Sequence, residues 1–481
     1  MHTGSGVRGV RMSLTAAIRT NPMTGFQWGV VAICIGLTMV DGYEILITAF
    51  TLPALTQEWG LGGGQQGLVA SVGTLGMGIG AVLLSPLADR IGRRRHIIAS
   101  LALIVPGMVL SGLAWSFESF LVFRFASGLF LGGIVPSINV LVAEYANQRR
   151  RGAVMGVYGI GFPLGAAIGG FLSVELIDAF TWRGPYFFAA LVTAALLLVS
   201  VVKLPESVAY LIEKRPAGAL DAYNRIAAKL DVPPAAQLPR PAAVDPAERS
   251  GSVWHGIMLP RTLLLWLAYA TLTAAFYFAN SLTAKLVTET TGDPDFGIRA
   301  QALVAAGGVV GALVFAYVSR WLHPRLVTAC IMAFGTVVFF AFAAFFDDRL
   351  MVIVLAVAIG FAVNGGLAAY YAISPSIYSI AVRASAVGLM MGLGRVVAFF
   401  APNVATFLQE RGFTAGDLYQ LYGLVLVVSG LAVLALHATY RGDHRRDAMD
   451  EEGERDVEPA TAPEALTAPA VPGAPGVRST P

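Results

Sequence analysis

Ser85-Pro86-Leu87-Ala88-Asp89-Arg90-Ile91-Gly92-Arg93-Arg94-Arg95 places one acid and four arginines between two apolar runs, Gln66–Leu87 and His96–Trp115. A spanning helix needs about 20 mainly apolar residues, so the stretch predicts a short charged turn on one face of a bilayer. Working outward, the same pattern recurs in Trp28–Phe50, Ser119–Ala143, Gly152–Leu176 and Gly184–Lys203. It returns in Thr262–Leu286, Arg299–Arg320, Leu326–Phe346, Leu350–Ser374, Ala384–Leu408 and Tyr419–Tyr440. Twelve transmembrane helices are expected, six on each side of a polar stretch. This divides the chain into an N-terminal tail (1–25), a six-helix bundle (26–203), a central loop (204–261), a second bundle (262–440) and a disordered tail (441–481).

Composition points the same way. Hydrophobic residues make up 56% of the 481 and charged residues 13%, against about 25% charged in a soluble protein; a soluble globular enzyme is excluded. The 53 Gly and 25 Pro are scattered through the apolar runs, as membrane helices tolerate. A net charge of +3 gives no reason to expect a nucleic-acid partner. Cys34 and Cys330 stand far apart, with neither metal-ligand spacing nor a disulfide framework. No cleavable signal peptide is expected, because the apolar run after Trp28 is too long for one. If the N-terminus is cytoplasmic, the tails and loops of that side hold 26 of the 33 Lys and Arg and the opposite loops hold 4. That bias predicts a multi-pass protein of the cytoplasmic (inner) membrane with both termini inside.

The two halves repeat at about 230 residues. Glu144-Tyr145 to Arg151, ahead of Gly156, is matched by Ser376-Ile377 to Arg383, ahead of Gly388. Arg90 and Arg95 match Arg320 and Arg325, and Gly159-Ile160-Gly161 resembles Gly392-Leu393-Gly394. Such a recurrence fits two fused six-helix bundles with a substrate site at midplane between them. Ser319 stands opposite Asp89 and Ser376 opposite Glu144, so the acidic chemistry belongs to the first half.

Charges inside the spans carry the mechanism, since each costs about 2.5–3.5 kcal/mol at mid-bilayer on insertion scales. Asp41 and Glu44, in Asp41-Gly42-Tyr43-Glu44, are three apart and share a helix face. They are candidates for a proton-exchanging pair; the alternative is a structural ion pair. Arg124, followed by Gly128, Gly132 and Gly133, is their expected partner in proton coupling, because small residues let helices approach closely, and a candidate to bind the substrate anion, since it stays protonated throughout; the alternative is that it snorkels to the surface. Arg395 has no acid of the second half at comparable depth. It is either the receptor for an anionic substrate or the partner of Asp41 or Glu44. Lys285, near a helix end, is expected to snorkel. Tyr277, Asn280 and Tyr371 complete the candidate substrate-binding set: aromatic rings can stack on a flat solute, and a mid-helix amide in lipid needs a partner. At the charged loop, Asp89 and Glu144 with Arg93 or Arg151 are candidates for an inner gate, and Asp89 could also cap an opposing helix N-terminus. Between the halves, Ser207–Leu230 reads as one or two short amphipathic helices and Pro233–Pro246 as linker.

The loop at Ser85–Arg95 resembles the signature loop of the major facilitator superfamily, with Ser85 in place of the usual leading Gly. The similarity covers all twelve spans. Arg124 with Gly128 is similar to that superfamily's fourth-helix motif, associated with proton coupling, and Gly159, Gly161, Pro163, Gly165 and Gly169 to its fifth-helix pattern. Asp41-Gly42-Tyr43-Glu44 resembles the first-helix motif of the aromatic acid:proton symporters. Pro136, Asn139, Glu144-Tyr145, Arg149–Arg151, Leu204-Pro205-Glu206-Ser207 and Gly394-Arg395 fit that family too. The resemblance implies that Asp41 and Glu44 are required for transport and that Asp89 serves gating. Glu44 stands where that family more often has Asp, Ala209 lies where an Arg is expected, and Asn280-Ser281 replaces a Trp/Pro pattern.

The expected function is proton-coupled uptake of a small aromatic carboxylate, such as a benzoate derivative, by a monomer that needs no cofactor beyond the proton gradient. A sugar or polyol porter, an exporter of aromatic acids or drugs, and a non-transporting sensor are the alternatives. Without a Ser/His/Asp set or a phosphate-binding loop, an enzyme is not expected.

Overall fold

The computed structural model describes residues 14–239, 258–319, 321–374, 377–378 and 380–455. These residues are helical throughout their regular structure. The first half comprises α1 (Leu14–Thr20), α2 (Gly25–Trp59), α3 (Gly63–Leu83), α4 (Ser85–Ile91), α5 (Arg93–Gly112), α6 (Phe117–Tyr145), α7 (Arg151–Phe180) and α8 (Arg183–Lys203). The two short helices α9 (Val208–Lys214) and α10 (Ala219–Lys229) follow. The second half comprises α11 (Met258–Thr291), α12 (Pro294–Val318), α13 (Pro324–Ala344), α14 (Arg349–Ile373), α15 (Ile380–Gln409) and α16 (Ala415–Arg455). Among the described residues twelve helices are long and apolar enough to cross a membrane. An even number of crossings returns both termini to one side, here called the terminal face; the other is the far face.

Local chemistry sets the ends. Thr24 caps α2 and closes a capping box with Gln27, and Gly60 ends the helix at φ 61°, a left-handed conformation that glycine adopts without strain. The loop expected between the second and third spans folds as α4, and Gly92 at φ 104° redirects the chain into α5. Arg320 and Ser376, named by the internal repeat, lie outside the described residues, as does the side chain of Arg383. So do residues 1–13 of the N-terminal tail, the second half of the Pro233–Pro246 linker (240–246), and residues 456–481. α16 continues to Arg455, past the end expected at Tyr440 and into the tail expected to be disordered.

In the first half α2 packs on α7, α3 on α6, and α5 on α6 and α8; in the second α11 packs on α15, α12 on α14, and α13 on α14. All of these but α5 on α8 correspond pair by pair under the internal repeat. Two approaches depend on glycine. A Cβ at Gly42 would stand 2.0 Å from the Phe162 carbonyl oxygen of α7, and one at Gly128 2.2 Å from the Gly73 carbonyl of α3. Gly42→Ala must therefore push α2 off α7. An overpacking cost of about 1–3 kcal/mol is expected as a lower melting temperature of the purified protein, and an unchanged value would show that the contact is not needed.

The halves meet along α7/α12, α3/α15 and α2/α11, within a single compact unit, Met1–Leu436; His437–Pro481 cluster separately. Towards the far face the seam is tight: a Cβ at Gly170 would lie 2.7 Å from Ala302, and one at Gly67 2.5 Å from Thr406 Oγ1. Towards the terminal face, Cβ atoms at Gly156, Gly159, Gly388 and Gly392 would meet nothing within 4 Å. The molecule is closed at its far face.

Candidate functional site

The two acids of α2 face different neighbours. Glu44 is fully buried; Thr193 of α8 donates to its Oε1 at 2.7 Å, and Oε2 has no partner. Arg124, 4% exposed, stands beside it but spends Nη2 on the Glu44 backbone carbonyl at 2.8 Å. Its Nη1 reaches Met108 Sδ at 3.4 Å, its Nε is unpartnered, and its guanidinium carbon lies 5.6 Å from the Tyr186 ring centroid. Glu44, Arg124, Thr48, Thr74 and Met108 line a cavity of about 10 Å³, near the size that holds one water. Arg124 is thus drawn into the first bundle and does not snorkel.

Asp41, also buried, looks across the seam into the field of Arg395, with its Oδ1 unpartnered. Arg395 of α15 donates through Nη1 to the Tyr277 hydroxyl at 2.8 Å. Its charge also reaches Tyr269 and Tyr371. The Tyr269 and Tyr371 hydroxyls are 3.5 Å apart and their ring centroids 6.2 Å. Gly394 admits this arrangement, since a Cβ there would lie 2.5 Å from the Tyr269 ring. From the first bundle, Tyr158 of α7 lies beside Thr38 and within electrostatic reach of both Asp41 and Tyr371. One arginine, one carboxylate and four phenols therefore converge where α2, α7, α11, α14 and α15 meet.

Asn280 does not join them. It is fully buried, gives Nδ2 to the Phe276 carbonyl of its own helix at 2.9 Å, and leaves Oδ1 unpartnered. Lys285 departs from the snorkelling expectation. It is 3% exposed and donates to Gln409 Oε1 at 2.5 Å, because α11 runs on to Thr291 and keeps the ammonium below the helix end.

At the terminal face Arg93 Nη1 pairs with Glu144 at 2.6 Å and donates to Ser207 Oγ at 2.9 Å, and Ser207 Oγ donates to Glu144 at 2.7 Å. Glu206 accepts from the Arg94 backbone N–H at 3.0 Å, and Arg94 Nε donates to the Leu204 carbonyl at 2.7 Å. The cluster pins α9 to the start of α5 and the end of α6. Asp89 contributes one 3.4 Å contact to Arg93 and is otherwise exposed, so it caps no opposing helix here. Arg151 lies exposed at the start of α7 and takes no part in the cluster among the described residues.

Sequence reasoning passed over Thr193, Tyr158 and Ser207 as candidate site residues, and it met Tyr269 only as one of several aromatic residues of the seventh span. Ser207 was within reach, because Glu206-Ser207 belongs to a recognisable segment. Thr193, which also bonds to its own Ala189 carbonyl at 2.7 Å, carries no signal that separates it from any membrane-helix threonine.

Residues 32–402 match the family model of the Major Facilitator Superfamily. The gallate transporter of Pseudomonas putida is 29% identical, over 87% of this chain and 93% of the relative. The 4-hydroxybenzoate transporter PcaK of Pseudomonas aeruginosa is 27% identical, over 88% and 95%. Among solved structures, the xylose transporter XylE of E. coli, in a partially occluded inward-open conformation, superposes with a TM-score of 0.66 at 13% identity, over 85% of this chain and 97% of that one. The chain is a multi-pass transporter, not an enzyme; it belongs to the Major Facilitator Superfamily and resembles the superfamily's aromatic acid transporters.

Proposed function

We propose that the protein is a proton-coupled symporter that takes up a small aromatic carboxylate by alternating access, with both termini in the cytoplasm. The observation that carries the reading is Arg395, held by the Tyr277 hydroxyl at 2.8 Å, facing Asp41 across the seam among phenol rings. With Asp41 charged, Arg395 already has an anion in its field. Protonation of Asp41 removes that anion and leaves the guanidinium to bind the substrate carboxylate, which a cationic fork recognises well. Tyr269, Tyr371 and Tyr158 flank the aromatic ring. Glu44 and Arg124 form a second, deeper proton site inside the first bundle. The relatives named for gallate and 4-hydroxybenzoate support the solute class.

The test is uptake of labelled 4-hydroxybenzoate into proteoliposomes under an imposed pH gradient. Accumulation on the alkaline side, collapsed by a protonophore, is expected. Accumulation of xylose instead, or carboxylate uptake that ignores the gradient, would overturn the reading; movement only towards the acidic side would make the protein an exporter.

A further inference from the structure

Closure of the far face rests on two seams related by the internal repeat, α3 against α15 and α7 against α12, and they are built differently. At the first, Glu410, directly after α15, places Oε1 2.8 Å from the backbone nitrogen of Gly64 in the opening turn of α3. A Cβ at Gly63 would lie 2.7 Å from the same carboxylate. Deeper in this seam Asn403 Nδ2 donates to Ser71 Oγ at 2.8 Å, and Thr406 is fully buried against Gly67. On the other side of Glu410 stands buried Lys285, which bonds to Gln409, pairs with Glu289 at 3.5 Å and reaches Glu410 with its charge. Gln409 Nε2 donates to Glu289 at 2.7 Å, fixing the end of α15 to α11. One carboxylate is thus held between an ammonium of the second bundle and a helix N-terminus of the first, both favourable to negative charge.

The other seam lacks this arrangement. The register that matches Gly156 with Gly388 also matches Asp178 with Glu410, and the register that matches Arg90 with Arg320 matches Gly63 with Asp293. At the start of α12 Asp293 already caps the helix, accepting from the Phe296 N–H at 3.0 Å. Asp295 lies near Asp178 and Glu175, with Arg299 as the nearby cation. A carboxylate from α7 has no vacant helix end to meet, and this seam closes by packing of Gly170 on Ala302.

We propose that Glu410, steadied by Lys285 and Gln409, is a positioning residue of the transport cycle: its contact with the N-terminus of α3 holds the far face shut and breaks when that face opens. The assignment rests on alternating access but not on the identity of the solute or on protons. The test is therefore labelling, which needs neither.

In a background with Cys34→Ala and Cys330→Ala, Thr406→Cys places a thiol beneath the contact, and its reaction with a hydrophilic maleimide is timed in detergent-solubilised full-length protein. Glu410→Gln is expected to raise the labelling rate about fivefold, in line with loss of a charge–helix contact, and Glu410→Asp to restore most of the slow rate. Glu410 is exposed, so neither change opens a hole in the core. Glu58→Gln, which removes a far-face acid bound to Arg183 and Trp182 within the first bundle, is expected to leave the rate unchanged. A Glu410→Gln rate equal to the parent's overturns the proposal. So does an equal rise in Glu58→Gln, which would mean general loosening. Solute uptake that fails in the proteoliposome test leaves this result standing, and the reverse also holds.

Discussion

Asp41→Asn is expected to abolish accumulation while leaving the aromatic carboxylate able to bind and exchange. Asn has nearly the shape of a protonated Asp but cannot release the proton, so Arg395 stays permanently free for substrate. Coupling of one proton to one solute converts each pH unit into about 1.36 kcal/mol, a tenfold concentration ratio. The parent protein should therefore hold about a tenfold gradient per unit of pH, rising as the outer medium is acidified. The variant should equilibrate to a ratio of one at every pH, with counterflow of labelled against unlabelled solute preserved. One proton with one monoanion moves no net charge, so sensitivity to membrane voltage, about 2.3 kcal/mol per charge per 100 mV, would require the second acid. Glu44, with an unpartnered Oε2 beside Arg124, is the candidate for that acid. If the Asp41→Asn protein still concentrated solute with the parent's pH dependence, the coupling assignment would be lost.

How much of this was legible in the sequence depends on range. The twelve spans follow from run length alone, and Asp41, Glu44, Arg124 and Arg395 stand out because ionisable groups are costly in a bilayer. A spacing of three placed Asp41 and Glu44 on one face, yet three residues fall roughly 60° short of a full turn. On a helix packed on both sides that offset decides the partner. Asp41 turns to Arg395 across the seam and Glu44 to Arg124 within the bundle. Lys285 was misread because its helix runs on to Thr291, beyond the end expected from hydropathy at Leu286. Tyr158 and Glu410 are defined by residues about 120 to 350 positions away in the chain, such as Thr38, Tyr371 and Gly64. No local pattern encodes such meetings.

The second large effect belongs to Arg395. Arg395→Ala removes the guanidinium but keeps the Cβ, the atom that stands 2.9 Å from where a Cβ on Gly78 would be, so the α3/α15 packing is left in place. Hydrogen bonds to a charged group contribute about 1.5–3 kcal/mol, and affinity for 4-hydroxybenzoate is expected to fall about 10- to 150-fold in a binding titration. 4-Hydroxybenzamide has the same ring without the negative charge, and its weaker binding should change less than about threefold. Arg395→Lys should lie between, because an ammonium retains the charge but not the planar fork. The expected loss is deepened in Arg395→Ala at high pH: charged Asp41 then has no cation across the seam, and its uncompensated field repels the incoming carboxylate. The deficit should accordingly narrow as the medium is acidified and Asp41 takes up its proton. A loss of equal size for acid and amide, or one that does not vary with pH, would make Arg395 a packing residue and move the anion receptor elsewhere in the seam.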